Sequence, residues 1–227
     1  MDLIETIRST GAVRGFTDQA ISNGTIAEIL DDARFAPSGG NRQPWRVAVV
    51  TDPRIRRSLA DIMRPVWHEY VAAGANGATP FAFGHPAEGP PIAAPNDLLD
   101  HIENVPAVLV IAADLSRIAL MDGQLNRPAM TGGASVFPFC WSVLLAARAR
   151  QIGGVMTTFI ARAEPAAVDL IALPHDHALV ATIFLGHPVK QITRLKRKPV
   201  DAFATMDRFD GEPLVHAPIE RSAGPDS

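Results

Sequence analysis

Residues 36–50 read A-P-S-G-G-N-R-Q-P-W-R-V-A-V-V, and this stretch decides the fold. Its first half reads as a turn and its second half as a strand. Pro37, Gly39 and Gly40 punctuate the backbone and end the helix that precedes them. Gly39 and Gly40 carry no Cβ, so the main chain can approach a flat ligand closely. Ser38, Asn41, Arg42 and Gln43 set donors and acceptors beside that bare backbone. Trp45 to Val50 is apolar and β-branched, which suits a buried strand. A polar loop between two packed elements is a common place for a binding site. Taken alone, the same residues read equally well as a plain helix-to-strand turn.

Working outward, helices and strands follow one another without repeats. Asp2 followed by Glu5 opens a short helix over 2–8, with Leu3, Ile4 and Ile7 on one face. Thr25-Ile26-Ala27-Glu28 has the capping-box pattern, and Ile26, Ile29, Leu30 and Ala33 then recur at helical spacing. Asp52-Pro53 starts another helix, with proline at its first position and Ile55, Leu59, Ile62 and Met63 as its inner face. Residues 106–113 and 178–185 read as strands, the second β-branched and central. Residues 132–151 read as one long helix that tolerates Pro138 near its start and stops at Gly153-Gly154. Cys140 falls on its inner face with Val136, Val143, Leu144 and Ala147, so it reads as a small buried hydrophobe. A further helix is expected over 164–173.

Residues 65–104 change character. Glycines and prolines are frequent there, and Trp67, Tyr70, Phe81 and Phe83 lie among them. The stretch reads as a long loop, and its four aromatics argue against simple disorder. Trp67, His68, Tyr70, Phe81 and Phe83 either anchor the loop to the body or line a substrate pocket.

Composition narrows the function. The 227 residues suit one domain, placed at 1–216 with a flexible tail at 217–227. A net charge of −3 gives no reason to expect nucleic acid as a partner. No apolar run reaches the roughly 18 residues of a membrane span, and no signal peptide is apparent. The single cysteine excludes an internal disulfide and a multi-cysteine metal site. A cytoplasmic protein without membrane partners is expected. Neither a dinucleotide-binding glycine fingerprint nor a P-loop is present. Ser38 stands in P-S-G-G rather than a nucleophile elbow. His175-Asp176-His177 offers ligand types without a further ligand set and reads as a surface turn, so no metal is expected. The lack of an evident acid–base or metal constellation fits a protein whose reactive atom belongs to a cofactor.

Pro37-Ser38-Gly39-Gly40-Asn41-Arg42-Gln43-Pro44-Trp45 resembles the signature of the FMN-dependent nitroreductase family. Three further segments resemble that family in the same order. Ala12-Val13-Arg14 with Phe16 matches its first flavin segment, with Gly11 where an arginine often stands. Residues 133–158 resemble its central helix and the loop after it, with Trp141-Ser142 in place of a glutamine-asparagine pair and Ile152-Gly153-Gly154 in place of Gly-Leu-Gly. Leu185-Gly186-His187-Pro188, followed by Arg194 to Pro199, resembles its closing turn and basic cluster.

The resemblance implies an α+β fold, with a mixed, mainly antiparallel sheet flanked by helices and two chains intertwined as a homodimer. It implies FMN at the subunit interface and NAD(P)H as reductant. Arg14 and Arg197, with Lys196 and Arg194 as alternates, would bind the flavin phosphate. Pro37, Ser38, Gly39, Gly40, Asn41 and Gln43 would lie against the ring. Gly154, Thr157 and Thr158 would face its N5/O4 edge. The implied reaction is ping-pong, from NAD(P)H to a small-molecule acceptor such as a nitroaromatic or quinone, held near Trp67, Tyr70, Phe81 and Phe83 under residues 65–104 as a lid-like insertion. No side chain is assigned as a catalytic acid. Dehalogenation, enone reduction, flavin fragmentation, or flavin sequestration without turnover remain the alternatives on the same fold.

Overall fold

The structure is a computed structural model that describes residues 2–83 and 90–215. Its helices are α1 (Leu3–Ser9), α2 (Asn23–Ala33), α3 (Pro53–Ala75), α4 (Asp97–Asp100), α5 (Phe137–Ala149), α6 (Phe159–Arg162) and α7 (Glu164–Ala167). Its strands are β1 (Trp45–Val50), β2 (Ala107–Asp114), β3 (Gly153–Thr157) and β4 (His177–Gly186). The sheet runs β1-β2-β4-β3 with every neighbouring pair antiparallel. A parallel bridge between Ala12 and Gly154 adds the mixed character.

β2 is buried along its whole length because both of its faces are covered. Successive side chains of a strand point to opposite faces. Leu109 and Ile111 enter one core with α2 and α5, through Ile26, Ile29, Phe139, Cys140 and Val143. Val108 and Val110 enter the other with α3, α4 and α6, through Leu59, Met63, Leu98, Leu99 and Ile160. Three layers result, helix over sheet over helix, and the α+β architecture expected from the sequence is the one observed.

Several local expectations change. β1 lies at the sheet edge, and Arg46, Ala48 and Val49 are exposed, so it is half covered rather than buried. α2 is capped by Ser22, whose Oγ accepts the Thr25 N–H at 3.0 Å, so the helix begins before the Thr25 capping-box pattern. α3 continues through Pro65 to Ala75, where a loop was expected. Val66, Ala72 and Ala73 keep burying its inner side, which favours the helix over the break that proline tends to impose. Trp67, His68 and Tyr70 are therefore helical residues.

α5 is shorter than expected. A 3₁₀ turn covers Thr131–Ser135, and the α-helix starts only at Phe137. The helix stops at Gln151 in the left-handed region (φ 61°), while the Ile152 N–H returns to the Ala147 carbonyl. Gly153 and Gly154 are thus freed from the helix stop and open β3, a strand not foreseen. The helix expected over 164–173 is limited to Glu164–Ala167 and then breaks into turns.

Glycine at 154 and 186 has a packing reason. A Cβ on Gly154 would stand 2.6 Å from Leu185 Cδ2 and 2.9 Å from the Phe184 carbonyl oxygen. A Cβ on Gly186 would stand 2.6 Å from the Phe16 ring. The bare backbone lets residues 12–17 lie along the sheet, where Val13 donates to Gly154 O at 2.9 Å and Thr17 to His187 O at 2.8 Å.

Packing groups the chain into two compact units, Met1–Thr193 and Arg194–Ser227, where the sequence reads as a single domain over 1–216; the second unit begins at the basic cluster. In the second, a 3₁₀ turn at Val200–Ala202 precedes a bridge between Thr205 and Pro213. The tail expected at 217–227, and Gly84, Pro86 and Gly89 of the insertion, lie outside the described residues. Among the described residues no helix is long and apolar enough to cross a membrane.

Candidate active site

A cavity of about 660 Å³ opens between α3, the start of α4 and the end of β3. Arg14, Trp67, Tyr70, Thr157 and Thr158 line it. These residues are distant in sequence, and the fold brings them to one cavity. Arg14 arrives on the segment docked by Gly154 and Gly186, which is pinned again where Val189 donates to Gly15 O at 3.1 Å. Its guanidinium is exposed and has no hydrogen bond or ion pair among the described residues.

Thr157 closes β3 opposite Thr182. Its Oγ1 is buried without a hydrogen-bond partner, a state shared among the described residues by Arg148 Nε and Gln191 Oε1. Of the three residues, Thr157 lines this cavity. An orphaned buried hydroxyl costs free energy unless a ligand supplies the partner.

The cavity wall is aromatic. Trp67 and Tyr70 stack with ring centroids 5.9 Å apart, and Phe159 packs against both at 5.9 and 5.8 Å. The Trp67 indole N–H donates to Ala94 O at 3.0 Å, and Ile92 N–H donates to His68 O at 3.3 Å. These bonds anchor the returning arm of the insertion to α3. Phe81 reaches Tyr70 at 6.4 Å and carries the Arg162 guanidinium over its ring at 4.4 Å. Arg162 is also held by Glu69 at 2.7 Å. Trp67 and Tyr70 thus line the cavity and also brace the insertion, whereas Phe81 and His68 are absent from the lining. Phe83 is 70% exposed and lies outside the cavity lining.

Sequence reasoning missed Phe159, Met156, Asn96, Asp97 and Phe184, which also line the cavity. Asn96 left a legible signal. It is an N-cap whose Oδ1 accepts the Leu99 N–H at 3.3 Å, two residues before the apolar pair Leu98-Leu99 begins. Its neighbour Asp100 pairs with Arg64, and its carboxyl is held below the usual range by the Asn96 N–H first and Arg64 second.

The remaining expected flavin contacts lie elsewhere. Pro37, Ser38, Gly39, Gly40, Asn41 and Gln43 are absent from this cavity's lining. Their loop is strained. Gly40, Asn41 and Gln43 have φ of 60°, 53° and 48°, a region that side chains disfavour. Two hydroxyls hold it there: Ser38 Oγ accepts the Gln43 N–H, and Ser135 Oγ accepts the Gly39 N–H, both at 3.0 Å. Strain that is retained and braced is a mark of function. Gly154 sits behind the cavity as a packing residue. Lys196 and Arg197 belong to the second unit, where both are exposed and Arg197 donates to the Lys196 carbonyl at 2.8 Å.

Two other groups carry less. Asp114, Asp176 and His177 bring ligand atoms within 4.8 Å of one another. Asp114 is already engaged by the Ser116 hydroxyl and Arg117. Cys140 is buried, and that burial pushes its thiol up to about 12. It is a core residue and no nucleophile.

A comparison with known families matches residues 7–187 to the nitroreductase family model. The chain belongs to the nitroreductase family. As a member it is an NAD(P)H-dependent oxidoreductase that works with FMN. A Thermus thermophilus protein named NADH dehydrogenase is 28% identical over 203 residues, covering 84% of this chain and 88% of its own. A 4-nitrobenzoate reductase from Nocardioides sp. is 25% identical over 223 residues, covering 88% and 87%. Among solved structures, the NADPH:FMN oxidoreductase of Vibrio harveyi complexed with NAD⁺ overlays with a TM-score of 0.66 at 20% identity. That overlay covers 91% of this chain and 77% of the other. At that identity the overlay establishes the fold alone.

The nitroreductase residues fit FMN. The cavity is of a size that holds a cofactor-sized ligand. Arg14 is an unspent cation for a phosphate, the Thr157 hydroxyl awaits a partner, and Trp67, Tyr70 and Phe159 offer flat apolar surface.

Proposed function

We propose that this nitroreductase takes hydride from NAD(P)H and passes the electrons to a nitroaromatic, a quinone or a related small acceptor, in two alternating half-reactions, as a homodimer. One observation supports the reading: Arg14, Thr157 and Thr158 share an aromatic-walled cavity in which Arg14 and the Thr157 hydroxyl have no partner among the described residues. FMN, when bound, supplies the reversible two-electron chemistry. Arg14 neutralises the phosphate. Thr157 and Thr158 present hydroxyl or N–H groups to the polar edge of the ring and fix its orientation. Trp67, Tyr70 and Phe159 exclude water from the ring face and give an acceptor a surface to stack on. No described side chain is assigned as a general acid, and protons come from solvent or a ribityl hydroxyl.

The strained Pro37–Gln43 loop supports the homodimer. It is exposed apart from Ser38 and contributes no residue to the lining of the cavity that holds Arg14, so its polar groups are free to serve the flavin of a second copy. Leu3, Ile4 and Ile7 make an exposed apolar face on α1 that a second copy would cover. The test is the visible spectrum of the purified protein with FMN, followed under anaerobic NADH and NADPH. Bleaching by either cofactor, reversed by a nitroaromatic or quinone, is the expected result. Failure of the protein to bind FMN overturns the reading.

A further inference from the structure

The two charged side chains that line the cavity are Arg14 and Asp97. Both are exposed, and neither has a side-chain hydrogen bond or ion pair among the described residues. The charges beside them are already spent. Arg162 is held by Glu69 at 2.7 and 3.0 Å, and Arg64 is paired with Asp100. Asn96 turns the chain into α4 by accepting the Leu99 N–H, and Asp100 fixes the same turn by accepting the Asn96 N–H at 2.8 Å. Asp97 follows directly; it is an exposed residue of the cavity lining whose carboxylate takes no hydrogen bond or ion pair among the described residues. A helix of one turn gives that carboxylate little compensation through its dipole.

We propose that Asp97 makes this enzyme select its acceptor by charge, taking uncharged or cationic acceptors and rejecting those that carry a carboxylate. The inference rests on the reading that a cofactor phosphate occupies Arg14. Once that cation is neutralised, Asp97 is the remaining fixed charge among the described cavity residues. Its field acts across a space walled by Trp67, Tyr70 and Phe159, where water is partly displaced and charge–charge interactions are strengthened. Two like charges several ångströms apart in such a half-solvated setting differ in affinity by about tenfold from a neutral pair. The likeness to a 4-nitrobenzoate reductase gives the proposal an edge, since an anionic nitrobenzoate is the kind of acceptor Asp97 disfavours.

The experiment compares kcat/KM of the FMN-loaded enzyme for nitrobenzene, 4-nitrobenzoate and 4-nitrobenzyl-trimethylammonium, at low and at high salt. The nitrobenzene-to-nitrobenzoate ratio is expected to be about tenfold or more at low salt, and smaller at high salt. Asp97→Asn is expected to collapse that ratio and to lower the preference for the cation. Asp97→Ser serves as a second variant if the first fails to load flavin. A wild-type ratio near one, or a loaded variant with the ratio unchanged, overturns the proposal. Equilibrium binding of the same three compounds, read by tryptophan fluorescence, separates it from the activity reading. An enzyme without turnover that still binds nitrobenzoate more weakly than nitrobenzene upholds the charge filter while the proposed reaction falls. Equal binding of the two overturns the filter.

Discussion

Replacing Thr157 by valine is expected to stabilise the flavin-free protein and to weaken its grip on the flavin. Threonine and valine have nearly the same shape, and both suit the end of β3. The Thr157 Oγ1 is buried and unpaired in the protein alone. Such a group costs about 1–3 kcal/mol, and valine removes the cost while keeping the methyl that packs. A change of 1 kcal/mol moves the melting midpoint of a chain of this size by about 2–4 °C. Flavin-free T157V is therefore expected to melt several degrees higher than flavin-free wild type. With FMN the variant's advantage narrows, because the wild-type hydroxyl gains its partner and the variant has none to offer. A neutral hydrogen bond contributes about 0.5–1.5 kcal/mol, which at 1.4 kcal/mol per tenfold corresponds to a Kd raised about two- to twelvefold. The assay is a pair of thermal melts with and without FMN, together with a flavin titration followed by fluorescence. A T157V protein that is less stable without FMN, or that binds FMN as tightly as wild type, refutes the assignment of this hydroxyl to the ligand.

Gly154→Ala places a methyl 2.9 Å from a backbone carbonyl that cannot swing aside. Overpacking of this kind costs about 1–3 kcal/mol, and urea denaturation is expected to show the midpoint lowered with the slope unchanged. Arg14→Ala removes a charge-assisted phosphate contact of about 1.5–3 kcal/mol, so the FMN Kd should rise about ten- to a hundredfold by titration, with Arg14→Lys between the two. Cys140, with its thiol pushed up to about 12 by burial, should resist iodoacetamide at mildly alkaline pH until urea unfolds the protein. Asp122 accepts from the Thr131 hydroxyl, the Met130 N–H and Arg127, which together hold its carboxyl far below its ordinary value. A depressed folded value means the stabilisation is present above the unfolded carboxyl's pKa and fades as pH falls below it. Asp122→Asn should therefore lower the melting temperature at neutral pH, and the gap to wild type should narrow in acid.

The sequence made the helix–strand order legible because period and caps are local signals. Asp2, Asp52 and the apolar spacing of α2, α3 and α5 each act within a few residues. What stayed hidden depends on contacts between distant segments. Pro65 reads as a helix end, yet Val66, Ala72 and Ala73 bury enough surface to carry α3 past it. Gly153-Gly154 reads as a helix stop, yet Gln151 takes the left-handed position and the glycines serve the close approach of Val13 and Leu185. The edge position of β1 is a matter of strand order, which its own residues do not encode. In the site, Arg14, Thr157 and Thr158 were recognisable from the resemblance. Phe159 and Asp97 were not, because their chemistry appears only where α6 and α4 meet the same cavity.

Gly11 shows how a departure from the family pattern can be a consequence of packing. It stands where an arginine is frequent, and it is buried, in a turn where its N–H donates to Ser9 O at 3.1 Å and where Thr10 beside it is also buried. An arginine there would set a long charged side chain on a buried turn, and its guanidinium would have to reach solvent or an anion to escape the cost of an unpaired buried charge. The Thr10 hydroxyl instead closes the end of α1 by donating to the Thr6 carbonyl at 2.6 Å. The segment thus spends residues 9–11 on ending a helix and residues 12–17 on lying along the glycine-lined sheet edge. Within the first unit this leaves Arg14 as the residue of that segment whose cation is free to meet an anion, so the charge that elsewhere in the family is shared between two positions is here concentrated on one.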